Sequence, residues 1–258
     1  MFHELDEFRQ LAEELARQAG EQSKAFFRRA SAFETKADGS IVTEADQSLE
    51  QFMRKQIRER YPEHRILGEE YGEDGPAEAR YRWILDPIDG TWAFARGIPL
   101  YAVLIALEVE GELQVGVSYF PMLDQLLSAA KGQGATLNGE PIHVSQRSDA
   151  ASSLALFSKS EQPLMNGHIG DRWQRVKARF PHTAGFDGSY VAFLVAVGQA
   201  EFGSFFGREL WDYAPYAVII QEAGGLLANW ERGKDVALPH VVMTTPTVMD
   251  ILKKDGVF

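Results

Sequence analysis

The stretch Trp83-Ile84-Leu85-Asp86-Pro87-Ile88-Asp89-Gly90-Thr91 decides how the rest of the chain is read. Its apolar start, Trp83 to Leu85, predicts a buried strand that stops at an acidic turn. Asp86 and Asp89 stand three residues apart in that turn, with Pro87 and Ile88 between them. Gly90 and Thr91 follow, and a short helix-like segment is expected over Trp92 to Arg96. Pro87 fixes one φ and Gly90 admits a conformation closed to other residues, so the turn is suited to one geometry. Ionised aspartates at the end of a buried strand are costly unless cations or hydrogen bonds compensate them. Two readings are open on the spacing: a strand-to-helix turn with aspartate caps, or a metal-assisted phosphate site. The second would use hard oxygen ligands for Mg²⁺ and backbone N–H groups for phosphoryl oxygens.

Working outward toward the N-terminus, Ile66-Leu67 predicts a second short strand that runs into another acidic turn, Gly68-Glu69-Glu70. Before it, Leu49, Phe52, Met53 and Ile57 give the apolar face of a helix. That helix opens at Thr43-Glu44-Ala45-Asp46, which resembles a capping box with Asp in place of Glu or Gln, and ends at Tyr61-Pro62. Leu5, Phe8, Ala12, Leu15 and Ala19 predict a first amphipathic helix over residues 4–29. The polar stretch Ala30 to Ser40, with a turn at Asp38-Gly39, joins the two.

Toward the C-terminus, strands are expected over Tyr101 to Glu108, Leu113 to Phe120 and Gln125 to Ala130. Asn138-Gly139 marks a tight hairpin between Ala135–Leu137 and Pro141–Val144. These short turns favour antiparallel pairing. Ser145 to Ser153 is polar and is the best candidate for a lobe boundary. Helices are expected around Trp173 to Phe180, over Ser189 to Val197, over Tyr213 to Ala223 and from Thr245-Pro246 to about Lys254. Strands are expected over Glu201 to Phe206, Leu226 to Trp230 and Val241 to Thr244. Asp212 stands where an N-cap would, and Pro215 then falls in the first turn, where it costs no helix hydrogen bond. Taken alone, Glu69 reads as a surface turn acid and Asp212 as a helix cap.

Composition narrows the function classes. With 258 residues, 45% of them hydrophobic, there is ample material for a large core. A formal net charge of −11 disfavours a nucleic-acid partner. A small phosphorylated substrate stays open, because bound cations would invert the local potential. Cysteine is absent, which removes disulfides, thiolate zinc sites and cysteine nucleophiles. The six histidines show no ligand spacing, and neither a Gly-x-Ser-x-Gly elbow nor a Walker loop occurs. A charged Met1 to Gln10 and the lack of a long apolar run lead us to expect a cytoplasmic protein with no membrane partner.

Gly68-Glu69-Glu70, then Asp86-Pro87-Ile88-Asp89-Gly90-Thr91, then Trp211-Asp212 with Glu222-Ala223-Gly224-Gly225 form an ordered set. Lys36-Ala37-Asp38-Gly39-Ser40 and Val42-Thr43-Glu44-Ala45-Asp46 precede it. Together these motifs resemble the inositol monophosphatase superfamily over about residues 5–250. The resemblance implies an α/β fold layered α-β-α-β-α. We expect two lobes, 1–147 and 148–258, with the site between them. It also implies a homodimer that hydrolyses a small phosphorylated metabolite with Mg²⁺, or with Mn²⁺.

By the same resemblance, Glu69, Asp86 and the Ile88 carbonyl would bind a first metal, and Asp86, Asp89 and Asp212 a second. Glu69, together with Thr91 hydrogen-bonded to Asp46, would orient or deprotonate the attacking water. Gly90 and Thr91 would hold the phosphate by their backbone N–H groups. Asp89, Asp187, Gly188, Arg208 and Glu209 are the candidates for the substrate pocket.

Departures from the pattern bear on substrate. Ala93 stands where the superfamily often has Asn. Members specific for inositol phosphates carry a Glu seven residues before the Asp matched by Asp212, and here that place is Phe205, which cannot bond a hydroxyl. Arg96-Gly97-Ile98-Pro99 and Phe186-Asp187-Gly188 are more similar to histidinol-phosphate phosphatases, although those generally keep an acid at the Phe205 place. A broad sugar or inositol phosphate enzyme is ranked first and histidinol-phosphate phosphatase second. Bisphosphorylated nucleotides or fructose bisphosphate follow. A non-catalytic metal- or phosphoester-binding homologue is the rival from another class.

Overall fold

The computed structural model describes residues 2–27, 33–36, 41–158, 167–186, 188–206, 209–230 and 240–258. Helix α1 (Phe2–Phe26) buries Leu5, Phe8, Ala12, Leu15 and Ala19, the stripe that predicted it. Strands β1 (Glu34–Thr35) and β2 (Ile41–Val42) pair antiparallel before α2 (Glu44–Arg60). Thr43 caps α2, and its backbone N–H donates to Asp46 Oδ2 at 2.8 Å, so Asp serves the capping box despite its shorter reach.

One large sheet contains β3 (Arg65–Gly68), β4 (Gly72–Asp74), β5 (Tyr81–Asp89), β6 (Ala102–Val109), β7 (Glu112–Phe120), β8 (Gln125–Ala130), β9 (Ala135–Leu137) and β10 (Glu140–Ile142). The order is β10-β9-β8-β7-β6-β5-β3-β4, and only β3 and β5 run parallel. The β9–β10 loop is the expected Asn138-Gly139 hairpin, with both φ values positive at 50° and 86°. Alternation along the strands separates two cores. Trp83, Leu85, Val103, Ile105, Val117 and Tyr119 face α1 and α2. Ala102, Leu104 and Phe120 face the opposite way, onto α5 (Gly188–Ala196) and α6 (Leu210–Glu222).

A second sheet has the order β12-β11-β13-β15-β14. Its strands are β11 (Leu154–Ser158), β12 (His182–Phe186), β13 (Phe202–Phe206), β14 (Leu226–Asn229) and β15 (His240–Thr244). Phe205, Val241 and Met243 on one face close the core around α5 and α6. Phe157, Phe202 and Val242 on the other pack against α4 (Gly167–Arg179) and α7 (Pro246–Lys254), through Val176, Val248 and Leu252. The architecture is therefore the expected layering α-β-α-β-α. The sequence reading missed β11 and β12, which carry neither a turn signal nor a regular alternation.

Two local expectations are corrected. The strand does not stop at Leu85: β5 continues to Asp89 and re-pairs with β6 at Ala102 after a register shift between Asp86 and Asp89. A bulge of this kind accommodates Pro87, which cannot donate to a ladder. Asp212 is not the N-cap of α6 either. Glu209 holds that place and Asp212 is the third helical residue, its Oδ2 accepting the Glu209 N–H at 3.1 Å. Pro215 consequently lies in the second turn, where it cannot donate to the Trp211 carbonyl. That turn packs hard onto β7, since a Cβ at Gly116 would lie 2.2 Å from the Pro215 carbonyl oxygen.

Candidate active site

Several acidic ends meet on the α6 side of the large sheet. Asp86 pairs across β6 with Leu104, which faces α6, so the Asp86 carboxylate shares that face. The close approach of α6 at Gly116 brings its first turn over the end of β5. Asp86, Asp89 and Asp212 each present a carboxylate oxygen, and these atoms lie within 4.8 Å of one another. Asp86 is buried, whereas Asp89 and Asp212 are half-buried.

Glu69 arrives from the end of β3, the parallel neighbour of β5. Its N–H donates to the Leu85 carbonyl at 3.2 Å, which ties the Glu69 turn to the Asp86 turn. Burial raises the Asp86 pKa well above the usual aspartate range, and Glu69, Asp89, Asp212 and Asp46 add repulsion in that order. Glu69 is raised as well, first by burial, with Lys36 opposing and Asp212 and Asp46 adding to it. A cluster that penalises its own ionisation this strongly fits a divalent cation, and its donors are all hard oxygens.

Gly90 adopts φ +88° and hands the chain to α3 (Thr91–Ala95). The Thr91 hydroxyl lies 3.1 Å from the Ile88 carbonyl oxygen and 3.4 Å from Asp46 Oδ1, so its single proton is shared between two acceptors. Asp46 is buried, and burial pushes its pKa up to about 6 against the lowering effect of two hydrogen bonds from Thr43.

The substrate candidates are less gathered. Asp187 and Arg208 lie outside the described residues. Gly188 opens α5, and a Cβ there would come within 3.1 Å of the Phe205 ring. Glu209 is exposed at the start of α6. Ala93 and Phe205 are both buried in the core, so neither side chain is offered to a ligand.

The sequence reading passed over three groups. Lys36 stands in a motif that gives it no role of its own, yet its Nζ donates to Glu69 Oε1 at 3.0 Å and Glu70 Oε1 at 2.7 Å. Tyr216, one turn after Asp212, exchanges a buried 2.7 Å hydrogen bond with Ser118 across the α6–β7 contact. Glu50 lies fully buried under the Glu69 turn. The signal for Glu50 was its place beside Leu49 and Met53 on a face that otherwise reads as apolar.

Comparison with known proteins places these features in context. A profile of the Inositol monophosphatase family matches residues 4–253. A histidinol-phosphatase of Chlorobaculum parvum is 41% identical over 87% of this chain and 86% of its own length. An inositol monophosphatase of Dictyostelium discoideum is 31% identical over 97% of this chain and 95% of its own. Among solved structures, the extragenic suppressor protein suhB of Bartonella henselae superposes with a TM-score of 0.87 at 26% identity, covering 95% of this chain and 96% of that one. With the layered fold, the ordered acidic turns and a match across nearly all its residues, the chain belongs to the inositol monophosphatase family.

Proposed function

We propose that the protein is a phosphatase that hydrolyses small-metabolite phosphomonoesters with the help of divalent cations, Mg²⁺ or Mn²⁺. The observation that carries this reading is the meeting of Asp86, Asp89 and Asp212 within 4.8 Å, with Glu69 close enough to disturb the ionisation of Asp86. Asp86, Glu69 and the Ile88 carbonyl would hold one cation, and Asp86, Asp89 and Asp212 a second. Cations held there would supply Lewis-acid stabilisation of phosphoryl charge and lower the pKa of water.

The chain's own residues do the rest. The backbone N–H groups of Gly90 and Thr91, presented by the left-handed Gly90 turn, hold phosphoryl oxygens. Thr91 Oγ1 donates a hydrogen bond to Asp46 Oδ1 or to the Ile88 carbonyl, keeping its proton, which leaves an oxygen lone pair to accept from the attacking water. Asp46, with a pKa of about 6, can take up a proton near neutrality. Glu69 orients the same water, and the Lys36 ammonium, bonded to both Glu69 and Glu70, opposes the rise that burial gives their pKa values.

A second reading, histidinol phosphate as substrate, is favoured by one observation: the histidinol-phosphatase relative shares 41% identity. Phe205, buried in the core, speaks against inositol phosphate without favouring histidinol phosphate. Phosphate release from histidinol phosphate, inositol 1-phosphate, fructose bisphosphate and adenosine 3′,5′-bisphosphate tests both readings at once. We expect cation-dependent turnover that disappears in Asp212→Asn. Wild-type release no greater than that of Asp212→Asn on every substrate would leave only a binding function.

Among the described residues no helix is long and apolar enough to cross a membrane. A small phosphorylated metabolite is the proposed partner, and a homodimer the proposed assembly.

A further inference from the structure

Helix α2 carries Asp46, Glu50 and Arg54 at successive helical turns, and all three are buried although charged. Glu50 has no exposed surface. Its carboxylate accepts the Glu70 N–H at 2.7 Å, the Tyr71 N–H at 3.2 Å and Arg54 Nε at 2.7 Å. Arg54 in turn donates to the Gly72 carbonyl and reaches Asp74 Oδ2 at 3.3 Å. A Cβ at Gly68 would lie 2.1 Å from Glu50 Oε1, so only glycine lets the carboxylate pass under the end of β3. Glu50 thus touches the chain on both sides of Glu69, at residues 68, 70 and 71, while the Glu69 side chain meets Lys36 and feels Asp212.

A buried ion pair is a poor source of stability, since apolar residues of similar volume do as well. What this one supplies is geometry: it fixes the two backbone N–H groups that follow Glu69 and packs against Gly68 just before it. We infer that Glu50 is a positioning residue that sets Glu69 for cation binding by clamping the 68–72 turn from beneath, an inference that rests on the metal-site reading above. Nature has left an internal control. Glu222 clamps another turn in the same manner, accepting the Gly132 and Gly134 N–H groups at 2.8 Å each, but it lies about 15 Å along α6 from Asp212.

The test is calorimetric titration of Mn²⁺ into chelator-stripped protein, which needs no turnover. Glu50→Gln should weaken Mn²⁺ binding about 10-fold, the usual effect of losing an outer-shell partner. Glu222→Gln should lower the melting temperature without changing Mn²⁺ affinity. In a Glu69→Gln background, Glu50→Gln should weaken binding by less than about twofold, because a residue acting through Glu69 has nothing left to position. Should Glu50→Gln not fold, Glu50→Gln combined with Arg54→Met leaves no unpaired buried charge and should show the same weakening. Wild-type affinity in the Glu50 variants, or an undiminished effect in the Glu69→Gln background, overturns the inference alone. A wild-type protein that binds no Mn²⁺ overturns the metal-site reading and this inference with it.

Discussion

At the Tyr81 end of β5 the buried titratable group is an imidazole among aromatic rings, whereas at the Asp89 end it is a carboxylate facing other carboxylates. His64 stacks between Tyr61 and Tyr81 at centroid distances of 4.6 and 4.5 Å, and Trp83 Nε1 donates to its Nδ1 at 3.0 Å. Burial pushes its pKa down to about 4, so near neutral pH the ring carries no charge and its one N–H sits on Nε2. Asp86, in the same strand, is buried in the company of Glu69, Asp89, Asp212 and Asp46. One end removes the charge and satisfies what remains. The other gathers acids whose ionisation burial and mutual repulsion oppose, and so holds free energy that a bound cation can release.

The comparison can be broken hardest at Asp86. Asp86→Asn should lower phosphate release by about 10³-fold, roughly 4 kcal/mol of transition-state stabilisation. The same change should raise the melting temperature of metal-free protein, because it removes the most buried of the like charges. Activity assays and calorimetry on one preparation read both effects, and a fall in both would contradict the stored-repulsion account.

Next in size is the pH dependence. Asp86, Glu69 and Asp46 have folded pKa values above the ordinary carboxylate range, so the folded protein holds protons that the unfolded chain releases. Their contribution is fully present at low pH and is lost as pH rises through the raised values, about 6 for Asp46. Urea midpoints of metal-free protein should therefore carry a component that falls from about pH 4 upward, and Mg²⁺ should flatten it. His64 works with the opposite slope: its folded pKa is lowered from 6.5 to about 4, so stability is lost as pH falls through that window. His64→Phe should remove an acid-limb loss of about 2 kcal/mol while leaving phosphate release unchanged.

The smallest expected effect is at the junction between β5 and α3. Gly90→Ala should cost about 1 kcal/mol for a left-handed φ of +88°, with a Cβ only 3.3 Å from the Leu100 carbonyl oxygen. Denaturant midpoints report that cost. A proportionally larger loss of activity would show that the turn serves the phosphate more than the fold.

Much of the site was legible because its residues are locally conspicuous. Two acids flanking Pro87-Ile88 before Gly90 stand out in any reading, and so does Glu69 at the end of an apolar pair. Asp212 reads as an acid at a helix start, but its position within the helix differs by three residues, because Glu209, outside the residue types that usually cap, holds the N-cap and Asp212 serves it from the third helical position. Glu50 and Tyr216 went unnoticed because each sits in an apolar periodicity that reads as ordinary core. Their partners, the Glu70 N–H and the Ser118 hydroxyl, lie 20 and 98 residues away.

The amino-acid order by itself determined what short-range chemistry controls: the α1 stripe, the Thr43 cap, the Asn138-Gly139 hairpin, the left-handed turn at Gly90, and which residues could serve as hard-oxygen ligands. Those features depend on contacts within a few residues, where backbone sterics and side-chain periodicity decide. That Asp212 meets Asp86, that Glu50 passes under Gly68 and that Phe205 is spent on the core were decided only in three dimensions. Each depends on how closely two distant elements approach, and that distance is set by packing complementarity, as where the Pro215 carbonyl oxygen presses on Gly116.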